Sequence, residues 1–224
     1  PAPLLEALGF VSDGVASCKW HVLVRFGMWE VILAEPTPPE WAVIGRSMQH
    51  YARGIAFANT GRIEQARTEM AAFDEAIQAI PAEDWDLGGQ PAAEVMPLAR
   101  LVLSGEIEFK AGNRDRGLDL LAQAIELEER LKYAEPTAWM MPARHAYGAL
   151  LIVAGRYKDA EKVYLRDLDI FPANGWALLG LRDALRGQGR VDEAARIDQS
   201  FRKAWRSADV MPPASCYCGE TVAK

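Results

Sequence analysis

The ten residues from Gly155, GRYKDAEKVY, are answered 34 positions later by GRVDEAARID from Gly189. GRIEQARTEM from Gly61 is a third copy, GNRDRGLDLL from Gly112 a weaker fourth, and GMWEVILA from Gly27 a fragment of a fifth. Each follows an apolar, helix-forming stretch: ARHAYGALLIVA, WALLGLRDALRGQ, MQHYARGIAFANT, LARLVLSGEIEFKA and VASCKWHVLVRF. Self-similarity at a fixed period marks a repeat architecture, and the unit reads helix, tight turn, helix.

The stretch from Met141 to Asn174 shows why. Tyr147, Gly148 and Leu151 share one side of the first helix, and Ala160, Val163, Tyr164 and Asp167 step along the second at helical spacing. Gly155 stands where a residue of positive φ ends a helix cheaply, and Pro172 stops the second helix. Gly148 and Ala160 carry almost no side chain, which predicts close approach of the two helix backbones where they cross. Neither helix can bury its apolar stripe alone, so successive pairs must stack.

On these residues the chain resembles the tetratricopeptide repeat (TPR) family. Gly148, Gly155, Ala160, Tyr164 and Pro172 stand at its small, Gly, small, aromatic and Pro positions. Gly189 and Ala194 follow in the next copy, Gly54, Gly61, Ala66 and Met70 match at 47–80, and Gly105, Gly112, Gly117, Leu121 and Ala124 at 98–131. Departures are Arg144, Asp167, Arg182 and Phe201, where the family pattern has Trp or small residues. The resemblance implies an all-α fold, a right-handed α-α superhelix of about five helix hairpins. The units fall near 13–40, 47–80, 98–131, 141–174 and 175–208, making one repeat domain over 1–209 and a flexible tail over 210–224. It also implies a bacterial-type TPR protein, of which the chain is expected to be the C-terminal part of a longer array.

The copies are unevenly spaced. Extra residues around AIPAEDWDLGGQPAAEV predict a loop at Pro81, Gly88, Gly89 and Pro91. Those around LKYAEPTAW predict a second helix running on to Tyr133 before Glu135-Pro136 stops it. In the first unit Pro36, Pro38 and Pro39 leave room only for a short second helix, and near the end a longer helix is expected over Ile197 to Ala208. Insertions in repeat arrays map to one face and often border the binding surface.

Composition narrows the function classes. The 224 residues are 50% hydrophobic and 25% charged, ordinary for a globular chain. No apolar run reaches the 18 residues a membrane helix needs. A net charge of −6 and a pI near 5.2 argue against a surface that tracks phosphates, so nucleic acid is not an expected partner. Three cysteines cannot build a disulfide framework and point to a reducing, cytoplasmic compartment. No phosphate-cradling Gly loop, nucleophile elbow or His-rich metal spacing is present, so no catalytic residue is assigned and a non-enzymatic role is expected.

In the TPR family the first helix of each pair lines the concave groove. Carried over, that placement implies a partner-binding groove of Tyr51, Ile55, Asn59, Phe109, His145, Trp176, Asp183 and Arg186, with Ser17 and His21 from the first unit. Aromatic anchors with charges of both signs suit an extended peptide or a partner helix, and Arg186 would pair with an acidic group or C-terminal carboxylate. The three histidines, His21, His50 and His145, read as solvated or core-edge residues, and most of the tryptophans as fillers between repeats. Cys216 and Cys218 form a Cys-x-Cys in the tail, an alternative site where two thiolates could hold a soft metal ion or cycle redox. End repeats without a polar cap would also favour homo-oligomers.

Overall fold

The computed structural model describes residue 4 and residues 7–81, 85–135 and 137–219. Among them are ten α-helices and no strand: α1 (Gly9–Arg25), α2 (Trp29–Ala34), α3 (Val43–Asn59), α4 (Ile63–Gln78), α5 (Ala92–Lys110), α6 (Arg114–Glu128), α7 (Ala143–Val153), α8 (Tyr157–Ile170), α9 (Gly175–Gly187) and α10 (Val191–Ala204). The chain forms two compact units, Pro1–Pro142 and Ala143–Lys224. In the first, α3 packs on α4, on α1 before it and on α5 after it, while α5 pairs with α6. In the second, α9 packs on α8, α7 and α10. Within each unit, hairpins therefore lean on their neighbours in sequence order.

One local device makes every hairpin. Gly27, Gly61, Gly112, Gly155 and Gly189 have φ of 63°, 77°, 98°, 74° and 74°, a conformation open to residues without a Cβ. The next N–H then reaches back five residues: Arg62 to the Phe57 carbonyl at 2.8 Å, Arg156 to Leu151 at 2.8 Å, Arg190 to Leu185 at 3.0 Å, with Met28 and Asn113 alike at 2.9 Å. This is the Schellman closure, which satisfies carbonyls that a helix end leaves open.

Packing departs from expectation at Gly148. The close backbone approach occurs in the hairpin of α5 and α6, where a Cβ on Gly117 would lie 2.6 Å from the Gly105 carbonyl oxygen. At Gly148 the missing side chain instead makes room for the Tyr164 ring, whose nearest atom would lie 2.6 Å from an added Cβ.

The short second helix of the first unit is α2, six residues long. The other expected helix ends shift. The last turn of α6 tightens at Glu128, with Arg130 and Leu131 donating to the Leu127 and Glu128 carbonyls at 3.1 Å. The helix cannot run on to Tyr133 because the backbone of Lys132 is taken by a side chain: its N–H donates to Gln90 Oε1, and its carbonyl accepts from Gln90 Nε2, both at 3.1 Å. Gln90 belongs to the other insertion, a tight turn in which Leu87 N–H donates to the Gln90 carbonyl at 2.8 Å. The two insertions thus fold against each other. The last helix, α10, stops at Ala204 rather than Ala208, and Trp205 Nε1 donates to the Val210 carbonyl at 2.6 Å.

Residues 213–219, expected in a flexible tail, form a buried turn; 220–224 lie outside the described residues. Ala214, Ser215, Cys216 and Cys218 are buried, and Gly219 N–H donates to the Cys216 carbonyl at 3.0 Å.

Candidate functional site

In unit 1 the residues expected to line a groove are largely buried within the unit. On α1, Asp13, Ser17 and His21 follow at i, i+4 and i+8 and are all buried. On α3, Tyr51 and Ile55 have no exposed surface. Trp139, from the second insertion, stands edge-on to His21 at 4.6 Å and to Tyr51 at 5.3 Å, and is itself 1% exposed. Asn59 is half-buried and donates to Glu106 Oε2 at 3.1 Å. Phe109 is buried on the α6 side, where Gly117 abuts its backbone N and Cβ, and the Arg114 guanidinium lies over its ring at 5.7 Å.

Two titratable groups on α1 answer to this burial. The Asp13 carboxylate accepts the N–H groups of Ile44 at 2.6 Å and Gly45 at 2.9 Å, at the N-terminus of α3. Desolvation outweighs both bonds and pushes its pKa up to about 6. Burial lowers that of His21 to about 4. Neither ring nitrogen of His21 has a hydrogen-bond partner among the described residues, so the ring is neutral at pH 7. His50 is half-buried, its Nδ1 2.7 Å from Glu69 Oε2, and Glu69 also accepts from Arg53 Nε at 2.7 Å.

In unit 2, His145 is buried with Nε2 3.2 Å from Asp167 Oδ2. Asn174 Nδ2 donates to the same carboxylate oxygen at 3.0 Å, and Asn174 Oδ1 accepts the Trp176 N–H at 3.1 Å, capping α9. Trp176 is half-buried and edge-on to Trp205 at 5.2 Å. Asp183 is buried; desolvation raises its pKa against the pull of Arg182, which donates from Nε at 2.8 Å. Arg186, expected to meet a partner's carboxylate, already lies 3.7 Å from Asp183. These pairings come from within unit 2, so the structure gathers His145 and Trp176 around Asn174, and Asp183 and Arg186 around one ion pair.

Cys216 and Cys218 are joined as a disulfide and buried. In this form neither sulfur is the thiolate a soft ion requires. Among the described residues, no group of three or more His, Cys, Asp or Glu is placed to hold a metal ion. No helix among them is long and apolar enough to cross a membrane.

The turn carrying these cysteines lies on the first helix of its unit. Cys218 Sγ is 3.9 Å from the Ala146 carbonyl oxygen, and a Cβ on Gly219 would lie 3.1 Å from the Ala149 Cβ. Tyr164 reaches the same place from α8. Its ring lies against Gly148 of α7 and Gly180 of α9, and its hydroxyl meets Ser215 Oγ at 2.5 Å.

Sequence reading missed Trp139, Gln90, Ser215 and Gly180. For Gly180 a signal existed: a second glycine two residues before Arg182, the position assigned to a small residue, is the partner that the Tyr164 ring needs. For the other three no local pattern reports the contact. Comparison with protein-family models, curated proteins and solved structures finds no match for this chain.

Proposed function

We propose that the chain is a non-enzymatic, TPR-like scaffold that binds a protein or peptide on the first-helix face of its hairpins. The 34-residue period, the five left-handed glycines and the order of helix packing within each unit support a superhelix of the TPR kind. The observation that carries the binding role is the seating of residues 213–219 on α7, with Ser215 at the Tyr164 hydroxyl. A first-helix face that accommodates non-helical backbone of its own chain has the shape and hydrogen-bonding groups to accept another. The occupant is a closed turn whose buried side chains, Ala214, Ser215, Cys216 and Cys218, are small, which narrows the expectation of an extended peptide or helix.

The test is selection of displayed random peptides on the full-length Ser215→Arg variant. An arginine side chain is too large for the buried Ser215 position, so overpacking opens the face while α7 and α9 keep their sequence. The reading expects enriched peptides whose affinity falls about tenfold when Ala149→Arg is added to a protein with an unchanged circular dichroism spectrum. Peptides indifferent to Ala149→Arg, or no enrichment at all, count against it.

A further inference from the structure

Residues 213–219 differ from the rest of unit 2 in how they are held. Between the end of α10 at Ala204 and this turn, Val210 and Met211 stand exposed, and Trp205 Nε1 donates to the Val210 carbonyl. The turn is also closed on itself. It is closed by the Cys216–Cys218 disulfide, by Gly219 N–H on the Cys216 carbonyl and by Cys218 N–H on Cys216 Sγ at 3.3 Å. The surface beneath it is equally specific. Gly148 and Gly180 leave the slot through which Tyr164 presents a hydroxyl, and Ala146 and Ala149 leave floor for the Cys218 sulfur and for Gly219. Four small residues, Ala214, Ser215, Cys216 and Cys218, are buried.

We infer that the Ala146–Ala149–Tyr164 surface is a binding site for a disulfide-closed turn that buries small side chains and one serine hydroxyl against it, and that residues 213–219 occupy it as an intramolecular ligand. The partner is a protein carrying a turn of this chemistry, and it binds by displacing the chain's own turn. This rests on the scaffold reading above and names its site, its ligand class and its built-in competitor. Tethering gives the competitor a high effective concentration, so an untethered turn of equal fit is excluded until the tether yields. Preorganisation by the disulfide spares the ligand the ordering cost of a linear peptide.

The experiment uses the full chain with a specific protease site inserted between Met211 and Pro212. The folded protein is cut and dialysed, and the fluorescein-labelled disulfide form of peptide Pro212–Gly219 is added and followed by anisotropy. Expected are saturable binding to the cut protein and at least tenfold weaker binding to the uncut one. The peptide with Ser215→Ala should bind about fivefold more weakly, and the linear peptide with Cys216→Ser and Cys218→Ser more weakly still. A turn that stays on the cut protein for a day without exchanging is a fixed part of the fold and overturns the inference. So does a turn that leaves while the labelled peptide fails to bind, or equal binding to cut and uncut protein. A concentration-dependent dimer of the uncut chain that the peptide dissolves would assign the site to a second copy and overturn the separate partner. Peptides selected on Ser215→Arg that depend on Ala149 would leave the scaffold reading standing when this inference fails.

Discussion

The Asp13 carboxylate, on α1, accepts the Gly45 backbone N–H at 2.9 Å and so caps α3 from the neighbouring helix. Ile44 N–H is held by the other carboxylate oxygen at 2.6 Å. α3 has no side-chain cap of its own, its N-cap being Ala42. The first helix of one hairpin therefore completes the first helix of the next, and stacking and capping become a single interaction.

Burial of that carboxylate sets a pH dependence. Its pKa, about 6 in the fold against 3.8 unfolded, means the folded state binds more protons than the unfolded state between these values. The stability Asp13 contributes is full below pH 3.8 and is lost as pH rises through 6. Asp13→Asn keeps an acceptor for α3 without the buried charge. In urea titrations its stability relative to wild type should improve by about 2–3 kcal/mol between pH 4 and pH 7. Asp13→Ala, which uncaps α3, should be less stable than Asp13→Asn at both.

His21 acts in the opposite sense. Its pKa falls from 6.5 to about 4 on folding, so its contribution is full above pH 6.5 and lost as pH falls through 4. His21→Phe keeps an aromatic edge against Trp139 and removes that loss. The variant should gain about 3 kcal/mol on wild type between pH 7.5 and pH 4, read as a shift in denaturation midpoint. A constant difference across this range would mean that the ring is hydrated or paired in solution.

Two glycine substitutions separate backbone from packing. An added Cβ at Gly155 meets nothing within 4 Å, but φ is +74°, so Gly155→Ala should cost about 1–2 kcal/mol from conformation alone. At Gly180 the same Cβ would lie 2.2 Å from the Tyr164 ring, so Gly180→Ala should cost about 2 kcal/mol or more by overpacking. Combining Gly180→Ala with Tyr164→Ala should recover part of that cost, with a coupling of about 1–2 kcal/mol in a double-mutant cycle. Gly155→Ala should show no coupling to Tyr164→Ala.

Gln90 is 1% exposed and ties the two insertions by its bonds to Lys132. Gln90→Ala leaves both Lys132 backbone groups without that partner and should cost about 2–3 kcal/mol. Amide exchange should rise at 85–91 and 132–139 together. A rise confined to 85–91 would show that the second insertion holds its shape without the first.

The hairpins were legible because their signals are local. A glycine just past an apolar helical run is a statement about φ at one residue, and Gly61, Gly155 and Gly189 carry it as written. The end of α6 was not legible, since the capture of Lys132 by Gln90 joins residues 42 apart in sequence and leaves no periodic trace. The residues expected in a groove were legible as a helix face and not as a surface. Tyr51 and His145 were placed on first helices by position in the repeat, yet nothing in their neighbourhoods announces Trp139 over one or Asp167 beside the other.

By itself the sequence determined that this protein is built of helix pairs, where each pair turns, and, for the copy at 141–174, which side of each helix is apolar. Those outcomes follow from backbone dihedrals and a 3.6-residue period, which act within a few residues. Only the tertiary structure decided what lies on the first-helix faces: Trp139 over α1 and α3 in one unit, and the turn closed by Cys216 and Cys218 on α7 in the other. The reason is that burial belongs to whichever distant segment reaches the face, as Ser215 reaches Tyr164 from 51 residues away.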